Sequence, residues 1–209
     1  MFNTTSKALV DMNTKLNKSK ITELWIALLK EIGENHARPG LQGTPLRIAS
    51  MYEELFRGYD ENCKPKITTF PNGEDGIIYN QMIIDQGIFY SFCEHHGLPF
   101  FGQYWFSYIP HTDGKIIGLS KVAQVVHFHS AKLQIQERLV KDVIDDLWKA
   151  LSQEKNEPKG MALVLKARHL CKSMRGVKQE GEMTTIELRG LFKEDQKTRQ
   201  EFFSFVQGG

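Results

Sequence analysis

The first 18 residues show no hydrophobic period and predict a loose N-terminal arm. From Ser19 onward, Ile21, Leu24, Trp25, Leu28, Leu29 and Ile32 recur at helical spacing and form one apolar stripe. Gly33 and then Pro39-Gly40 mark its end. Thr44-Pro45 reads as an N-cap followed by proline in the first turn of a second helix. That helix carries Ile48, Met51, Tyr52, Leu55 and Phe56, and Gly58 stops it. Between Ile77 and Ile117 the period changes, and GIIYNQMII, GIFYSFCEHH, FFGQYWFSYI and GKIIGL predict strands of a mostly antiparallel sheet. Ser120 opens a helix with Val122, Val125, Val126 and Phe128 on one side. A longer helix follows, marked by Ile135, Leu139, Val143, Ile144, Leu147, Trp148 and Leu151, and it closes before Pro158 and Gly160. GMALVLKARHLCKSMRGV and MTTIELRGLF predict a second pair of strands, and a helix from Thr198 to Val206 ends the chain. Strands, helices and strands again define an α+β fold. The expected organisation is an arm at 1–18, a helical region at 19–75 and a β-rich domain at 76–209.

Composition changes this picture little. A net charge of +2 is too small to argue for nucleic acid or an anionic membrane, so any anion site must come from a local cluster. No apolar run reaches the ~20 residues that span a bilayer. The polar N-terminus lacks the apolar core of a signal peptide, so a cytoplasmic protein is expected. Cys63, Cys93 and Cys171 are odd in number and far apart, which argues for free thiols or metal ligands over a disulfide framework. A hydrophobic fraction of 41% is modest and compatible with an oligomeric subunit.

Reactive side chains gather in two segments. Cys93-Glu94-His95-His96 sits where a strand meets the turn Gly97-Leu98-Pro99, and His169-Leu170-Cys171 falls inside a predicted strand. Residues two apart on a strand share a face, so His169 and Cys171 are expected to point the same way. Cys93, His96 and Cys171 would supply a Cys₂His set for Zn²⁺ with one position left for water, the pattern of a catalytic rather than a closed site. His95 and His169 are then unligated imidazoles able to move protons. Against this, a lone Cys-x-x-His is more often not a metal site, and a buried cysteine is usually a small hydrophobe. Ser120-Lys121 at a helix start suits a phosphate, although an ordinary N-cap beside a solvated lysine is the commoner case. Glu137, opening the longer helix, could accept two hydrogen bonds from guanine N1–H and its 2-amino group; alone, it reads as a first-turn acid favoured by the helix dipole.

SFCEHHGLPFFGQ, IIGLSKVAQVV, LQIQERLV, HLCKSMRGV and FKEDQKTRQEFFSFV, taken in order with GTPLRIASMYEELFRGYD before them, resemble the GTP cyclohydrolase I family over residues 20 to 206. The resemblance implies a tunnelling fold, an antiparallel sheet with two helices on one face, preceded by a helical region. It implies a homodecamer of two pentamers with sites at subunit interfaces. Cys93, His96 and Cys171 match the family's zinc ligands, and His95 and His169 match its catalytic histidines. Glu137 and Gln136 match the guanine pocket, and Ser120, Lys121, Arg175 and Arg47 match residues holding ribose and triphosphate. The implied reaction is hydrolytic opening of the imidazole ring of GTP at C8, with loss of formate and formation of 7,8-dihydroneopterin triphosphate for folate or tetrahydrobiopterin synthesis.

Departures from the family pattern concentrate on the phosphate clamp. Gln124 stands where an arginine is usual and Ser50 where many bacterial members have lysine, while Lys166, Arg168 and Lys172 add positive charge near His169. Two alternatives therefore stay open at this stage: a paralogue with altered phosphate preference, and a non-catalytic, zinc-stabilised relative. Cys63 lies outside every motif.

Overall fold

The computed structural model describes residues 16–153 and 156–208. Up to residue 15, the expected arm lies outside the described residues. The chain divides into two compact units, one ending at Lys64 and the other beginning at Pro65.

The first unit contains α1 (Lys18–Glu31) and α2 (Thr44–Leu55), with short 3₁₀ turns at Arg57–Tyr59 and Glu61–Cys63. Asn17 caps α1, its side chain accepting from Lys20 N at 2.9 Å. Thr44 is not the N-cap of α2. Gly43 holds that position without a side-chain bond, Thr44 is already helical, and Pro45 sits in the first turn.

The second unit is built on five strands in the order β5-β2-β3-β6-β7. They are β2 (Ile83–Cys93), β3 (Pro99–Ile109), β5 (Leu133–Gln134), β6 (Gly160–His169) and β7 (Glu182–Gly190), all neighbours antiparallel except β2 with β5. A separate pair joins β1 (Thr69–Pro71) to β4 (Lys115–Ile117), so residues 69–71 belong with the sheets rather than with the helices. Two of the expected strands merge: the end of GIIYNQMII and the start of GIFYSFC run on as β2. Asp85 and Gly87 do not break it, because Tyr104 on β3 uses both. Its hydroxyl donates to Asp85 Oδ2 at 2.9 Å, and its ring fills the space where a Cβ of Gly87 would come within 2.7 Å.

One face of the sheet is covered by α3 (Lys121–Ser130) and α4 (Gln136–Leu151). Leu139, Val143, Ile144, Leu147 and Leu151 of α4 recur every three or four residues and are fully buried, with Val122, Val125 and Val126 of α3, against Phe89, Phe100, Phe106 and Leu163. On the other face Trp105, Ile109, Ala162 and Val164 pack under Phe192 of α6 (Leu191–Glu194) and Phe202 of α7 (Gln196–Gly208). The remaining element, α5 (Leu170–Ser173), follows β6 directly. No helix among the described residues is long and apolar enough to cross a membrane.

Candidate active site

Three chain segments meet at one end of the five-stranded sheet. Cys93 ends β2 on its buried face, in phase with Phe89 and Ser91. The chain then turns through Glu94, His95 and His96, closed by Gly97 N donating to Cys93 O at 2.8 Å and Cys93 N to Leu98 O at 2.8 Å. Gly97 has φ 66°, a backbone conformation that costs glycine little and other residues more. Beside this turn, β5 pairs Gln134 with Cys93 and leads straight into α4, bringing Gln136 and Glu137 to the same end. The third segment arrives on β6, where His169 pairs with Phe100.

Cys171 is not on a strand. The chain leaves the sheet at His169 and enters α5, with Ser173 Oγ donating to His169 O at 3.3 Å and Met174 N to Leu170 O at 3.0 Å. The strand-face argument for pairing His169 with Cys171 therefore fails, yet the turn carries Cys171 to the other two residues. Ligand atoms of Cys93, His96 and Cys171 all lie within 4.8 Å of one another. A tetrahedral zinc with thiolate bonds of about 2.3 Å separates its ligands by roughly 3.5–4 Å, so a small closure suffices. Soft thiolates with an imidazole suit zinc, and burial together with the neighbouring Cys93 thiol pushes the Cys171 thiol up. Donor types and spacing together fit the ion.

His95 Nδ1 stands 3.6 Å from Cys93 Sγ, and Arg175 Nη1 donates to His96 Nε2 at 2.6 Å. His169 stacks on Phe100 with centroids 4.5 Å apart and planes 3° from parallel. Its Nε2 lies 2.8 Å from Gln136 Oε1. Burial lowers its pKa from the ordinary value, Glu137 opposes that shift, and Lys172 adds to it. Gln136, expected in a nucleotide pocket, is 1% exposed, and its Nε2 faces Leu165 O, Met183 O and Thr185 Oγ1 at 2.9, 3.1 and 3.1 Å. Glu137, the next residue, is exposed.

Ser120 and Lys121 are not hydrogen-bonded to this group among the described residues. Ser120 starts α3 without capping it, and Lys121 Nζ donates to Gln124 Oε1 at 3.1 Å. Lys166 and Arg168, on one exposed face of β6, are paired with Glu182 at 3.0 Å and Glu180 at 3.5 Å. Arg47 is an exposed residue of α2 in the first unit. Sequence reasoning missed Phe100 as the stacking partner, which only the β3–β6 register reveals. It also missed Arg138, although LQIQERLV was in view.

Fold and site together place a candidate metal-ligand group beside a hydrogen-bonded imidazole at one end of an α+β sheet. The GTP cyclohydrolase I family profile matches residues 21–207. The chain is 44% identical over 195 residues to the GTP cyclohydrolase 1 of Aquifex aeolicus (strain VF5), covering 92% of this chain and 98% of that protein. It is 42% identical over 193 residues to the one of Caldanaerobacter subterraneus subsp. tengcongensis, covering 91% and 97%. Against that of Halalkalibacterium halodurans it is 40% identical over 197 residues, covering 93% and 100%. The chain belongs to the GTP cyclohydrolase I family.

Proposed function

We propose that Cys93, His96 and Cys171 form the zinc centre of a GTP cyclohydrolase I that opens the imidazole ring of GTP, releases formate and forms 7,8-dihydroneopterin triphosphate. The observation that carries this reading is the convergence of those three ligand atoms within 4.8 Å, from segments 78 residues apart at their extremes (171 − 93). Zinc bound there supplies Lewis-acid activation of water at neutral pH.

The protein's own groups do the rest. Leu165 O and Met183 O can only accept, so they face the amide nitrogen of Gln136, and its oxygen must face His169. That oxygen cannot donate, so His169 carries its proton on Nε2 and keeps the Nδ1 lone pair to exchange a proton with the ring nitrogen of the substrate. Gln136 thus acts as a positioning residue rather than a base reader. His95 serves as a second proton carrier beside Cys93. Glu137 accepts from guanine N1–H and the 2-amino group, while Ser120, Lys121 and Arg175 hold ribose and phosphates.

The sheet with α3 and α4 on one face supports a tunnelling fold for the catalytic domain expected at 76–209, with β1 at residues 69–71 joining it from the end of the expected helical region. β7 and most of β2 offer free edges, which supports closure of neighbouring copies into a homodecamer of two pentamers. A cytoplasmic enzyme in folate or tetrahydrobiopterin synthesis fits this reading.

A reading with altered phosphate preference is favoured by one contact: Lys121 is engaged by the neutral Gln124 rather than standing beside a second cation. Turnover on GTP, GDP and GMP separates the two. A phosphate clamp worth about 1.5–3 kcal/mol per charge-assisted contact predicts kcat/KM for GTP above that for GMP by about 100-fold or more. Equal turnover of the three nucleotides contradicts GTP as the preferred substrate.

A further inference from the structure

Arg138 sits one residue after Glu137, and Glu94 sits one residue after Cys93. The two are joined. Arg138 Nη2 donates to Glu94 Oε2 and to Leu133 O at 3.3 Å, while its Nε donates to Gln134 Oε1 at 2.7 Å. Gln134 is fully buried and committed on every side: its backbone O accepts from Glu94 N at 3.0 Å, and its Nε2 donates to His129 O at 3.1 Å and Asp142 Oδ2 at 3.2 Å. A planar guanidinium can bridge two acceptors in fixed directions, which an ammonium cannot. One side chain therefore ties the metal-ligand turn to β5 and to the first turn of α4.

An ordinary surface ion pair is the plainer account, since the side chains of Arg138 and Glu94 are 42% and 35% exposed. Pairs so exposed contribute little to folding stability. This one, however, is anchored on a buried amide and spans the two segments whose separation sets the reaction geometry. We propose that Arg138 is a positioning residue, holding the Cys93–Gly97 turn in register with Glu137 so that metal centre and guanine ring meet correctly. This rests on the zinc and guanine roles proposed above.

The test uses Co²⁺ as a probe of the metal site, alongside steady-state turnover of GTP, on Arg138→Met, Arg138→Lys, Glu94→Gln and the Arg138→Met/Glu94→Gln double variant. Arg138→Met is expected to shift the cobalt d–d bands, to weaken cobalt binding or kcat by about 10–100-fold, and to leave KM and Tm nearly unchanged. Arg138→Lys should recover part of the loss by restoring the Glu94 pair alone. Glu94→Gln should move the spectrum in the same direction, with the double variant no worse than Arg138→Met. A wild-type cobalt spectrum and kcat in Arg138→Met would overturn the proposal, as would additive losses in the double variant. Should Arg138→Met not fold, Glu94→Gln carries the decision, and an unaltered spectrum there overturns it. Wild-type protein that binds cobalt without thiolate charge-transfer bands removes the metal reading itself, and this proposal with it.

Discussion

Two carbonyls, of Leu165 and Met183, face the amide of Gln136, and their inability to donate sets the orientation of that amide and of His169 beyond it. Removing the amide takes away the donor to Leu165 O and Met183 O and the acceptor for His169, at about 1–3 kcal/mol. Gln136→Ala is therefore expected to lower the urea midpoint by that order and to reduce kcat more than it raises KM. His169→Ala should lower kcat by about 10²–10⁴, the range for a positioned proton carrier; a loss under tenfold would remove that role. The sequence singled out Gln136 from its place beside Glu137, but its burial and its contact with His169 were not legible there. Successive helical residues point about 100° apart, so one of the two faces the sheet and the other the open end. His129 supplies a pH test. It is buried, with Nε2 2.7 Å from Asp146, Asp142 at 4.0 Å, and Lys132 3.6 Å from Asp142. Burial lowers its pKa below 6.5 despite both carboxylates, so the unfolded chain takes up a proton that the folded one refuses. Its stabilisation is complete above about pH 6.5 and is lost as pH falls through the lower folded value. Denaturant midpoints measured across that range should drop with pH, and His129→Gln should flatten the drop.

At the level of elements, β3 and β6 approach so closely at Gly102 that an added Cβ would lie 1.9 Å from Lys166 O. The obstacle is backbone, so no side chain can move aside. Gly102→Ala should splay the pair that sets Phe100 against His169, lowering Tm sharply and weakening cobalt binding together; a variant with wild-type Tm would contradict the register. The helices were legible because their apolar stripes are long and regular, α4 above all. The strands were less so. Asp85-Gln86 fell between two expected strands, and Tyr104 across the sheet, holding Asp85 and packing on Gly87, explains why the strand runs through. β1 escaped notice because three residues ending in proline carry no period. Cys171 read as a strand residue because nothing in HLCKS signals that the chain leaves the sheet at His169.

Across the β-rich unit, the face opposite α3 and α4 is only partly covered. Ile88, Tyr90 and Ile186 are 56%, 63% and 47% exposed there, beside free edges at β7 and β2. Apolar exposure of this extent next to open edges is what further copies would cover in the assembly proposed above. Light scattering after size exclusion should give ten times the 24.0 kDa subunit mass, and a stable monomer would contradict the shared assembly. None of this could be read from the apolar pattern alone, because a residue destined for a partner looks like one destined for the core. Chelation should also act on the whole site. Stripping zinc is expected to abolish turnover and lower Tm, since an ion that binds only the folded state stabilises it, and added zinc should restore both.

The most direct measurement is formate release from GTP by the zinc-loaded protein, compared with Cys171→Ala. One formate per GTP consumed, with oxidised neopterin fluorescence rising in step and both lost in Cys171→Ala, is the predicted result. Zinc bound at the site with no formate released, or release that survives Cys171→Ala, would contradict the account.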